Sequence, residues 1–130
     1  MPTRYQQLRQ AIANLAAPAE EQAAYLDRIF EPLTGGGSAA GYGNDELALE
    51  LDDIYGAAGH MLEYGEITPA EIEAARPLNE LLLHWSGQRN ADFWTREALF
   101  GDPRWDEVRG CASRCLASFP DEERSGGWKP

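Results

Sequence analysis

Between Asn44 and Gly65 the apolar side chains recur at helical spacing. Leu47, Ala48, Leu51, Ile54, Tyr55, Ala58, Met61 and Leu62 fill an arc of about 140° when successive residues are turned by 100°. That stripe predicts one long helix over residues 44–64, roughly 30 Å at 1.5 Å per residue, about the width of a small domain. Asn44 or Asp45 can cap its start, acids in the first turn suit the helix dipole, and Gly65 can end it.

The rest of the chain uses the same grammar, with no alternating strand pattern and no internal repeat. Tyr5, Leu8, Ile12 and Leu15 precede Pro18, and Tyr25, Leu26, Ile29 and Phe30 follow it, so residues 3–30 form two helices or one with a break. Thr68-Pro69-Ala70-Glu71 is a capping box with proline at the first helical position. The helix it opens runs through Ile72, Ala75, Leu78, Leu81, Leu82 and Trp85 to Gly87, with Pro77 expected to kink it. A short helix follows Thr95, with Trp94 and Leu99 placed to staple its start. The last begins at Asp102-Pro103 and carries Trp105, Val108, Ala112, Cys115, Leu116 and Phe119 on one side. The stretch EPLTGGGSAAGYG, residues 31–43, has five glycines in thirteen residues and reads as a flexible loop. Residues 121–130 read as a mobile tail. A chain of 130 residues is one domain by length. The expected fold is therefore an all-α, single-domain bundle of five or six helices over residues 1–130.

Charge is distributed very unevenly over this chain. The net charge is −11. No Lys or Arg occurs between Arg28 and Arg76, and residues 29–75 hold ten of the acids. Acids and bases nearly balance on either side of that segment. Such a field repels nucleic acid and anionic lipid, which bind through basic surfaces. It favours a cationic protein partner, speeds the encounter and makes the association salt-sensitive. Nothing approaches the roughly 20 apolar residues of a membrane span, and the N-terminus is a poor secretion signal, so a cytoplasmic location is expected.

On the predicted helix, Glu46, Glu50 and Asp53 share one flank, while Asp45, Asp52 and Glu63 share the other. Leu49, Gly56 and His60 lie between them, opposite the core stripe. One reading is an apolar spot and glycine notch rimmed by carboxylates, the pattern of a protein-binding patch. The other is that the helix is central and packs on both sides, leaving only its acidic edges wet. Glycines 56 and 59 are costly inside a helix unless something approaches closely there.

The chemistry-bearing motifs are sparse. GGGSAAGYG lacks the Gly-Lys-Ser/Thr ending of a phosphate-binding loop. Glu50-x-x-Asp53 and His60-x-x-Glu63 can each share a helix face, but no second carboxylate–histidine pair completes a helical di-metal site. Cys111 and Cys115 are too few for a tetrahedral zinc site and badly oriented for a bridge, so reduced, partly buried thiols are expected. No histidine stands near either cysteine to activate it, and no serine lies in a Gly-x-Ser-x-Gly context. His60 reads as a surface residue, His84 as a satisfied interhelical one, and Trp85, Phe93, Trp94 and Trp105 as core anchors. No cofactor and no metal are expected.

The run DELALELDDIYGAA, then LNELLLHWSG, then FWTREALFGDPRWDEVR, resembles small acidic all-helical immunity proteins of bacterial polymorphic-toxin and contact-inhibition systems. The likeness covers roughly residues 44–117. It implies stoichiometric inhibition of a toxin, often a basic nuclease, by surface occlusion, and assigns no role to any single residue. The leading expectation is a non-enzymatic binding protein, monomeric or homodimeric. Its partner-binding residues would be Asp45, Glu46, Leu49, Glu50, Asp52, Asp53 and His60. Glu46, Glu50 and Asp53 would bond partner cations, Leu49 would be the apolar centre, and Asp45 and Asp52 would steer. Two alternatives stand beside it: a carboxylate-bound metal enzyme using Glu50, Asp53, His60 and Glu63, and a homo-oligomer packing through Leu49 and Gly56.

Overall fold

The computed structural model describes residues 3–34 and 43–122. Among the described residues every regular element is helical. In chain order these are α1 (Arg4–Ala16), α2 (Ala19–Thr34), α3 (Glu46–Tyr55), α4 (Ala58–Glu63), α5 (Pro69–His84), a 3-10 segment (Gln88–Trp94), α6 (Ala98–Gly101) and α7 (Pro103–Leu116). That exceeds the five or six helices expected.

One reason is that the helix predicted over 44–64 is broken. Gly56 closes α3, and the Ala57 N–H donates to Ile54 O at 3.0 Å, three residues back, before α4 begins. The tightened turn lies at the poorest helix former in the run. A second difference concerns the glycine-rich stretch. Its first residues, Glu31 to Thr34, extend α2 with Pro32 inside the helix. Residues 35–42 of the expected loop, and 123–130 of the expected tail, lie outside the described residues.

The helix starts follow their local sequences. Thr3 and Thr68 each cap a helix with their hydroxyl, and Gln6 and Glu71 return the bond to the cap backbone. Asp102 accepts from the Arg104 N–H at 2.9 Å, and Pro103 takes the first position of α7. α5 continues through Pro77 to His84 as one element. Thr95 Oγ1 accepts from the Ala98 N–H at 3.2 Å just ahead of α6, whose cap residue Glu97 makes no side-chain capping bond.

The core forms where α1 packs between α3 and α7, with α5 against α7 and α3, and α2 against α6. Tyr5, Leu8, Ile12 and Leu15 of α1, Leu47 and Leu51 of α3, and Trp105 and Val108 of α7 are buried there. Trp105 stacks on Phe93 at 4.7 Å between centroids and donates its indole N–H to Phe93 O at 2.7 Å. The buried Gln22 ties three elements together: its amide donates to Asn14 O and Leu15 O at the end of α1 and accepts from Arg109 of α7. Cys111 and Cys115 are free and buried. Burial, followed by the neighbouring Cys111, pushes the Cys115 thiol up to about 12. His84 is not interhelical as expected; it is exposed at the end of α5, its ring edge-on to Trp85. Among the described residues no helix is long and apolar enough to cross a membrane.

Candidate functional site

The start of α3 is clamped rather than capped. Asn44 is completely buried, and its side-chain amide donates to Phe93 O at 3.0 Å and to Thr95 O at 2.7 Å. Its backbone N–H donates to Trp94 O at 3.1 Å. Asp45 occupies the cap position but makes no side-chain capping bond. Gly43 is required by proximity, since a Cβ there would sit 2.4 Å from Trp94 O. Residues 43–44 thus dock α3 on the 3-10 segment and orient every side chain that follows.

That orientation gives the two acidic flanks different surroundings. Asp45, Leu49 and Asp52 line a groove of about 650 Å³ together with Leu83 at the end of α5 and Trp94. Leu49 and Leu83 are 47% and 57% exposed, two leucines left half in water on adjoining elements. Glu50 and Asp53 face a second cleft of about 760 Å³, lined across from them by Gln6, Gln10 and Asn14 of α1 and by Tyr25 of α2. Glu46 is half-buried, and His60 is exposed on α4 and lines neither hollow.

The structure therefore brings Asp45, Leu49 and Asp52 together and sets Glu50 apart. Tyr25 donates its hydroxyl to Glu50 Oε2, while Glu50 Oε1 is buried without a hydrogen-bond partner. Glu50 is thus half-buried, with one carboxylate oxygen engaged by Tyr25 within the fold. Burial and then this bond to Glu50 raise the Tyr25 hydroxyl well above its ordinary range. The glycines mark no close approach either. Nothing comes within 4 Å of a Cβ built at Gly59, and at Gly56 the nearest atoms are carbonyl oxygens of its own preceding turn.

Among the described residues no arginine forms an ion pair with the acids of α3. Arg76 pairs with Glu73 at 2.5 Å on its own helix, Arg104 with Asp102 and Asp92, and Arg109 with Asp106. Arg96 reaches Asp27, and Arg4 binds the buried Glu66. Arg9 lines the second cleft but donates to Phe119 O at 2.9 Å and lies 4.0 Å from Asp121. Among the described residues, Asp45, Glu46, Glu50, Asp52 and Asp53 form no ion pair. Glu46 registers the result: burial first, then the charges of Glu50, Asp45 and Asp53, hold its carboxyl above the ordinary value of 4.5. Among the described residues no three His, Cys, Asp or Glu side chains converge as a metal ion would require.

No family model, curated protein or solved structure matches this chain. Two residues of these hollows escaped the sequence reading. Leu83 had a signal: in Leu81-Leu82-Leu83 three consecutive leucines cannot all face one side of a helix. Tyr25 had none, because its bond to Glu50 spans 25 residues.

Proposed function

We propose that this chain is a non-enzymatic, acidic protein-binding domain that neutralises a cationic protein partner by occluding its surface, in the manner of bacterial immunity proteins. The observation carrying this reading is the absence of any ion pair to the five carboxylates of Asp45 to Asp53 among the described residues, while Arg76, Arg104 and Arg109 pair with other acids. Concentrated, uncompensated charge on one helix costs stability through self-repulsion, and a cationic surface would relieve that cost. Asp45, Asp52 and Asp53 are exposed, and among the described residues their side chains form no ion pair, so they would meet the partner first. Glu46 adds to the field from a half-buried position.

The test is a pull-down from the source cell at low and high salt, using the native chain and a variant combining Asp45→Lys, Asp52→Lys and Asp53→Lys. A basic protein retained at low salt, released at high salt and lost by the variant is the expected result. Circular dichroism should show the variant folded, because none of the three side chains holds an internal partner. Equal retention by both chains would sink the reading.

A further inference from the structure

We infer that the groove between α3 and the α5–3-10 corner takes a helical segment of the partner bearing one large apolar side chain flanked by two cations, at the spacing Lys/Arg-x-x-x-Leu-x-x-Lys/Arg. This rests on the functional reading above and specifies where and by what chemistry contact is made.

Two independent features of the groove point to such a segment. The first is its apolar content: Leu49 of α3 and Leu83 of α5 both line it and are half exposed, and Trp94 lines it too. A single exposed leucine is ordinary, but two lining one hollow offer it a receptive apolar surface. The second is the charge at its rim. Among the described residues the groove is lined by Asp45 and Asp52 and by no Lys or Arg. Asp45 precedes Leu49 by four residues and Asp52 follows it by three, so the three side chains lie on one face. The two carboxylates are separated by about 10 Å along the axis. A partner helix with cations at i and i+7 and an apolar residue at i+4 repeats that spacing with opposite sign. Its apolar side chain would enter between Leu49 and Leu83 while each cation meets one aspartate.

The walls are already set. Asn44 bonds to Phe93 O and Thr95 O, and the Trp94 indole N–H donates to Trp85 O at 2.9 Å. Little ordering is then required on binding. A second copy of this chain is a poor occupant, since it would bring Asp45 and Asp52 against their own kind.

The probe is an alanine-based helical peptide with Lys, Leu and Lys at i, i+4 and i+7, titrated into the full chain and followed by amide chemical shifts. The control peptide has the same composition with the lysines moved to i+2 and i+6, off the leucine face. The expected result is shifts centred on Leu49, Leu83 and Trp94. Affinity should be about tenfold weaker for the control peptide, and about tenfold weaker for the chain carrying Leu49→Ser and Leu83→Ser. Equal affinity for both peptides, or shifts confined to other surfaces, would overturn the inference. So would a dimer of the native chain that dissociates on Leu49→Ser. The outcome also separates the two proposals. If the double serine variant still captures the basic partner while the lysine variant does not, the groove is wrong and the functional reading survives. If the lysine variant captures it as well, both fall.

Discussion

Asn44 shows how one side chain can set the geometry of a whole surface. A buried amide that holds the carbonyls of Phe93 and Thr95 replaces a helix cap here, and its loss would leave Thr95 O without that donor. Asn44→Ala should therefore cost about 1–3 kcal/mol in urea unfolding, the range for orphaning a buried polar group. The peptide affinity of the adjoining groove should fall with it; an unchanged midpoint would mean the clamp contributes nothing. The thiols are a second case. With Cys115 held protonated until about pH 12 and Cys111 also raised by burial, neither is a nucleophile near neutrality. In the native chain both should resist a disulfide-exchange reagent at pH 8 and react fully after denaturation. Rapid native labelling would show that the α7 face opens far more readily than its packing implies.

The helices differ in what defines them. α5 and α7 are specified by their own first turns, so Thr68→Ala should lower stability by about 1 kcal/mol, the usual worth of a hydroxyl cap. The short α4 contains Gly59 with open space around the missing Cβ. Gly59→Ala should consequently raise stability by about 0.5–1 kcal/mol, since alanine loses less freedom on entering a helix. A loss there in thermal melts would reveal a close contact at Gly59 and revive the notion of a glycine notch. Gly43 is the opposite case: with Trp94 O at 2.4 Å from a built Cβ, any side chain must push α3 off the 3-10 segment.

At the scale of the molecule, concentrated negative charge should be visible in the pH dependence of stability. Glu46 has a folded pKa raised above 4.5, so the native state takes up its proton first as pH falls. Stability should then rise between neutrality and about pH 4.5. Asp102 acts in the other sense. The guanidinium and backbone N–H of Arg104 hold it below 3.8, so its contribution is present above that value and is lost as pH drops further. Urea midpoints measured across this range should pass through a maximum on the acid side of neutrality, and Glu46→Gln should flatten the rising arm. A steady decline from pH 7 downward would show that the acidic face is not self-repelling.

The chain alone was enough to find the helical class, the caps at Thr68 and Asp102, the segregation of acids into residues 29–75 and the core stripe from Leu47 to Leu62, except that Leu62 itself is exposed. These are properties of local spacing and composition, which the 3.6-residue period and the helix dipole translate directly. The break at Gly56, the extension of α2 through Pro32 and the different fates of the two acidic flanks were not legible. On a helical wheel the flank of Glu50 and the flank of Asp52 are mirror images, because periodicity sets the angle of a side chain and not the neighbour it meets. Packing α1 and α2 against one flank drew Glu50 into a bond with Tyr25, and docking α3 on Trp94 through Asn44 left Asp45, Leu49 and Asp52 facing an open groove. Contacts between residues dozens of positions apart made that choice.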